Sequence, residues 1–123
     1  MKILALDDDI AMTNLIKAYA KKLNYSVEVI NNPDKLLEKI ARFNPDLIIL
    51  DLMMPKKDGL SLLKSIKEME LFKHIPVLII SARANRSTIL SCLSAGAIGF
   101  LPKPIGLDLL SKRLHDIFDE KES

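Results

Sequence analysis

Residues 47–59 read LIILDLMMPKKDG: four apolar residues, Leu47 to Leu50, then Asp51, three more apolar residues, Pro55, and a polar turn closing on Gly59. Leu47–Leu50 has no polar alternation, the pattern of a strand covered on both faces. Pro55 cannot continue a ladder, so Asp51 is delivered at the strand's carboxyl end into a loop. Outward from this segment the same unit repeats. Lys2–Leu6, Val27–Ile30, Val77–Ile80 and Ile98–Leu101 are short apolar runs, with Pro76 opening the fourth, and each is followed by a helical pattern. The helices are expected over Ile10–Leu23 (Leu15, Ile16, Tyr19, Ala20 and Leu23 on one face), after Asn32-Pro33 (Leu36, Leu37, Ile40), over Gly59–Met69 (Leu62, Leu63 and Ile66 inward), over Asn85–Ala95 with Gly96 as terminator, and over Leu107–Phe118. Strand-helix alternation implies right-handed crossovers, hence an α/β doubly wound parallel sheet with helices on both faces.

The chain of 123 residues is 49% hydrophobic, enough for one domain with its own core, and residues 1–123 read as a single unit without linker or low-complexity tract. Eighteen basic against 16 acidic residues leave a formal +2, without the concentrated basic stripe of a nucleic-acid binder. Lys21-Lys22 and Lys56-Lys57 read as solvated surface. The single cysteine, Cys92, excludes a disulfide framework or cysteine metal site and reads as a small buried residue. No apolar run is long enough to span a bilayer, and Met1–Leu6 is too short for a signal peptide. These features predict a cytoplasmic protein.

Chemistry concentrates where strands end. Open α/β folds place sites at the carboxyl edge of the sheet, and there this chain puts Asp7-Asp8-Asp9, Asp51, Ser81 and Lys103. Asp9 stands where the first helix needs an N-cap. Asp7, Asp8 and Asp51 repel one another unless a cation compensates, and Mg²⁺, with its preference for hard oxygen ligands, suits them. Asp51 itself is too far from Gly59 to cap the third helix. Lys103 is flanked by Pro102 and Pro104, which restrict the backbone and aim the ammonium. A cation and a hydroxyl are what an anionic oxygen growing on Asp51 needs. His74, entering a strand, and His115, in the last helix, read as solvent-exposed and not as phosphohistidine sites.

With KILALDDD, LIILDLMMPKKDG, IISA and AGAIGFLPKP in this order, the chain resembles the receiver domain of two-component response regulators over its whole length. The resemblance implies a flavodoxin-like (βα)5 sheet of strand order 2-1-3-4-5 and a phosphorylation-dependent signalling switch, not an enzyme with a substrate of its own. It implies that Asp51 is the phosphoacceptor, and that Asp7, Asp8, the Asp51 carboxylate and the Met53 backbone carbonyl hold Mg²⁺. Ser81 and Lys103 are then expected to bind phosphoryl oxygens, the Lys103-Pro104 peptide to be cis, and Phe100 to be the aromatic whose rotamer follows the site. The implied donor is a phosphohistidine on a sensor histidine kinase or histidine phosphotransfer protein, or a small acyl phosphate. A downstream protein or self-association is expected at the surface of the fourth helix, fifth strand and fifth helix, around Arg86 and Leu90. No direct contact with nucleic acid or membrane is implied.

Ser81 lacks the methyl of the family's frequent threonine, Phe100 lacks a tyrosine hydroxyl, and Gly106 caps the last helix weakly. Met53 and Arg83, two positions past Asp51 and Ser81, flank the expected water path, and neither can serve as a general base, so slow self-dephosphorylation is expected. Two other classes fit the residues less well. An unphosphorylated pseudo-receiver sits poorly with all reactive positions being present. An aspartyl-nucleophile phosphohydrolase would need a second acid two residues after Asp51, where Met53 stands, and a cap segment. After Phe118 come only residues 119–123, so the chain reads as a stand-alone receiver or one excised from a longer protein.

Overall fold

The computed structural model describes residues 1–55 and 57–122, and side chains through Asp119. Five strands, β1 (Lys2–Leu6), β2 (Ser26–Ile30), β3 (Leu47–Asp51), β4 (Val77–Ser81) and β5 (Gly99–Pro102), alternate with five helices. These are α1 (Ile10–Lys22), α2 (Leu36–Phe43), α3 (Gly59–Glu68), α4 (Arg86–Ser94) and α5 (Leu107–Glu122). All pairings are parallel, and the order is β2-β1-β3-β4-β5, the flavodoxin-like arrangement.

Side chains alternate across each strand, so one sheet makes two cores. Leu4, Leu6, Ile48, Leu50, Val77 and Ile79 face one way and pack with Leu36, Ile40, Leu62, Leu63, Ile66 and Cys92 of α2, α3 and α4. Ile3, Ala5, Leu47, Ile49, Leu78 and Ile80 face the other way, against Ile16, Ala20, Leu110, Leu114 and Phe118 of α1 and α5. Every residue of β3 is buried. Each buried leucine or isoleucine there stabilises the fold by roughly 1.5–3 kcal/mol, so Asp51 is held by a stiff central strand.

Local chemistry sets the helix ends. Asp9 caps α1 by accepting from the Ala11 N–H, and Asp58 caps α3 by accepting from that of Leu60. Asn32 caps a single 3-10 turn, Pro33–Lys35, that leads into α2. Gly96 follows α4 at φ +104°, a conformation that L side chains rarely adopt.

Several expectations shift. β5 starts at Gly99, not Ile98, and Ile98 is 44% exposed. α5 continues to Glu122 because Asp119 to Glu122 contains nothing that breaks a helix. Leu37 is turned outward, since α2 is short and buries Leu36 and Ile40 alone as its inward stripe. Lys21, Lys22 and Lys57 are exposed as expected, whereas Lys56 of the same reading lies outside the described residues. Cys92 is fully buried as a free thiol.

Candidate functional site

Parallel strands deliver their carboxyl ends to one edge, and the register aligns them: Leu6 opposite Leu50, Asp51 opposite Ile80, Ser81 opposite Pro102. Asp7, Asp51, Ser81 and Lys103 therefore meet. Carboxylate oxygens of Asp7, Asp8 and Asp51 lie within 4.8 Å of one another, Asp7 and Asp51 buried and Asp8 exposed.

Lys103 Nζ donates to Asp7 Oδ2 at 2.8 Å and lies 3.4 Å from Asp51 Oδ1, with its side chain 18% exposed. Its own N–H donates to the Ser81 carbonyl, and the Lys103-Pro104 peptide is cis. Burial alone would lower the ammonium's pKa. The hydrogen bond it donates to Asp7 and then the Asp51 charge outweigh it and hold the group above its ordinary value. Asp51 shows the opposite imbalance: burial first, then the Asp7 charge, raise its carboxyl from 3.8 to about 6, against the opposing pull of Lys103 and the Met53 N–H. The lysine is engaged mainly by Asp7, so Asp51 is the less compensated acid.

The turn after Asp51 is built from backbone. Leu52 N–H donates to the Ile80 carbonyl, carrying the ladder one step past the strand, and Met53 N–H reaches Asp51 Oδ1 at 3.4 Å. Met53 then bridges Asp58, and the Gly59 N–H returns to the Leu52 carbonyl. A Cβ on Gly59 would stand 2.6 Å from both the Asp51 carbonyl oxygen and Leu52 Cα. Only glycine lets α3 start this close to the acid's backbone.

Ser81 is fully buried, and its Oγ accepts from the Arg83 N–H at 3.0 Å. With an acceptor position filled, the hydroxyl proton remains for a neighbouring anion. Phe100 is half-buried against the core shared by α2, α3 and α4. Met53 is 47% exposed, and with Arg83 it lines a groove of about 790 Å³ between the β3–α3 turn and α4. His74 and His115 are exposed, His115 facing Asp119 at 3.6 Å.

Two residues were missed from sequence. Thr13, buried in α1, donates from Oγ1 to the Ile10 carbonyl, and Asn31 Nδ2 donates both to Thr13 Oγ1 at 2.9 Å and to the Asp7 carbonyl at 2.8 Å. A threonine one turn before Ile16, on the apolar face, was the available signal.

Fold and site together define a doubly wound α/β protein with an acid cluster, a lysine and a hydroxyl converging at the carboxyl edge of its sheet. The model of the response regulator receiver domain matches residues 3–115, and the chain belongs to that family. Response regulator MprA of Mycobacterium leprae (strain TN) is 38% identical over 114 residues, 93% of this chain and 49% of that protein. The chain thus spans about half the length of the curated relatives it matches. The crystal structure of the BeF3-activated N-terminal receiver domain of Klebsiella pneumoniae RstA aligns with TM-score 0.86 at 30% identity, covering 94% of this chain and 96% of that one. A two-component response regulator from Clostridium difficile aligns with TM-score 0.92 at 25% identity, covering 100% and 99%. Receiver domains are signalling domains of two-component systems, and response regulators are phosphorylated by histidine kinases. Among the described residues, no helix is long and apolar enough to cross a membrane.

Proposed function

We propose that residues 1–123 form one receiver domain that accepts a phosphoryl group on Asp51 from a phosphohistidine of a sensor kinase or phosphotransfer protein. The observation that carries this reading is the Asp51 carboxylate, buried at a strand end beside Lys103 and two further acids yet only partly compensated. An Asp51 oxygen attacks phosphorus in line; the new P–O bond forms as the P–N bond breaks, and the donor imidazole, already protonated on its other nitrogen, keeps that bond pair and leaves as the neutral ring. Lys103 Nζ and the Ser81 hydroxyl are placed to take charge that spreads over the phosphoryl oxygens.

The donor set fits a hard divalent cation: three convergent carboxylates, with one ammonium standing in for positive charge. Asp7, Asp8, Asp51 and the Met53 carbonyl would hold Mg²⁺. Bound there, the ion supplies neutralisation of charge on the acids and the phosphoryl group.

The phosphorylated side chain draws the Ser81 hydroxyl toward it, and Phe100 repacks into the space left. The output face is that of α4, β5 and α5, where Leu90, Leu93, Ile98 and Leu109 are 51%, 44%, 44% and 41% exposed. Such apolar exposure suits a downstream protein or a second copy of the chain. The free Cys92 thiol, kept protonated by burial, suits a reducing cytoplasmic compartment.

Intact mass after incubation with acetyl phosphate and Mg²⁺ should rise by one phosphoryl group, and Asp51→Asn should abolish the gain. Equal labelling of the variant would falsify the assignment.

A further inference from the structure

The β1–α1 turn carries Asp7 and Asp8, whose mutual repulsion with Asp51 works to spread it open. Parallel pairing of β1 with β2 ends at Leu6 opposite Ile30, and one more rung follows in which the Asp7 N–H donates to the Ile30 carbonyl. The next backbone group of the turn, the Asp7 carbonyl, is met by a side chain: Asn31 Nδ2 donates to it at 2.8 Å. The second hydrogen of that amide goes to Thr13 Oγ1 at 2.9 Å, and Thr13 passes its own proton to the Ile10 carbonyl at 3.1 Å. One amide nitrogen thus ties the start of the acid turn to the first turn of the helix after it. Thr13 is 1% exposed, so its oxygen has little access to water in place of Asn31.

We propose that Asn31, acting through Thr13, is a positioning residue that preforms the cation site by holding the acid turn against its own repulsion. The inference rests on the reading that Asp7, Asp8 and Asp51 take Mg²⁺. Neither Asn31 nor Thr13 touches the ion; they fix the backbone from which Asp7 and Asp8 project. Without the amide, the turn relaxes outward in the empty state, and the ion must draw it back. Supporting hydrogen bonds of this kind typically change metal affinity about 10- to 100-fold on removal.

The test is a Mg²⁺ titration of the intact chain, read by melting temperature and separately by the rate of labelling with acetyl phosphate. For Asn31→Ala and for Thr13→Val, half-saturating Mg²⁺ should rise about tenfold. The labelling rate at saturating Mg²⁺ should return close to the parent's. Thr13→Ser, which keeps the hydroxyl, should restore parental affinity. A purely structural role would lower the melting temperature by the same amount with EDTA and with Mg²⁺ and leave the half-saturation point unmoved, and that result overturns the proposal. The parent and Asp8→Ala separate this from the underlying reading. If the parent responds to Mg²⁺, Asp8→Ala does not, and Asn31→Ala behaves as the parent, the clamp fails while the metal site stands. A parent that does not respond removes both.

Discussion

Replacing Asp51 with asparagine should make the metal-free protein more stable at neutral pH, although it destroys the proposed reactive group. In the folded chain the carboxyl pKa is raised from 3.8 to about 6, chiefly by burial and then by Asp7, so folding works against ionisation at this position. The difference corresponds to about 3 kcal/mol of stability forfeited by the parent at pH 7. The sign follows from linkage: a folded-state pKa above the unfolded value contributes stability that is present below about pH 4 and lost as pH rises through about 6. Asparagine keeps the shape, its oxygen can still accept from the Met53 N–H, and Lys103 retains Asp7 as partner. Urea unfolding of both proteins in EDTA, from pH 4.5 to 8, should show the variant's advantage growing with pH to a plateau near 7. At roughly 4 °C per kcal/mol for a domain of this size, the plateau corresponds to about 12 °C in melting temperature. Saturating Mg²⁺ should close the gap by stabilising the parent. A gap independent of pH, or a parent more stable than the variant at pH 7, would refute the reasoning, because it would mean that Lys103 already compensates Asp51 fully.

Two further outcomes follow from the same geometry. Met53→Asn with Arg83→Glu adds an orienting amide and an acceptor to the groove beside Asp51, so decay of phosphorylated protein after donor removal should quicken by up to about 10²-fold; unchanged decay would shift control to the loop from Pro55 to Gly59. Beryllofluoride with Mg²⁺ should alter amide exchange from the site through residues 85–103, including Leu90 and Phe100, whereas changes confined to the loops touching Asp51 would mean that no switch is transmitted.

The fold was legible because β1, β3 and β4 are nearly pure apolar runs, and a parallel sheet buried on both faces has few other ways to look. The edge of the site was legible for the same reason: once strand ends are located, Asp7, Asp51, Ser81 and Lys103 must meet. What stayed hidden depends on distances between elements. That Lys103 favours Asp7 over Asp51 is a matter of 2.8 against 3.4 Å, beyond what spacing along the chain can give. Gly59 stood out in the motif, but its necessity lies in the 2.6 Å approach to the backbone of Asp51 and Leu52. Asn31 looked like one more loop residue before Asn32-Pro33, because its partners Asp7 and Thr13 lie 24 and 18 positions away.

Charge arithmetic at the edge explains why the same acids can make both a resting state and a switch. Three carboxylates against one ammonium, −3 + 1, leave −2, and a divalent cation brings the sum to zero. The proposed phosphorylation would replace the Asp51 charge with about −2, so the site without the ion would carry about −3, and with it about −1. The first value is prohibitive around residues as buried as Asp7 and Asp51, which makes the phosphorylated state depend on the cation. The residual charge in the second case has to be met by dipoles, and Ser81, at the end of the neighbouring strand, still has its hydroxyl proton to offer while its oxygen accepts from the Arg83 N–H. Meeting that charge moves a fully buried hydroxyl, and a buried group cannot move without its neighbours repacking. In the proposed switch, that excess charge would convert a local chemical event into a displacement at β4 and, across the Ser81–Pro102 pairing, at β5.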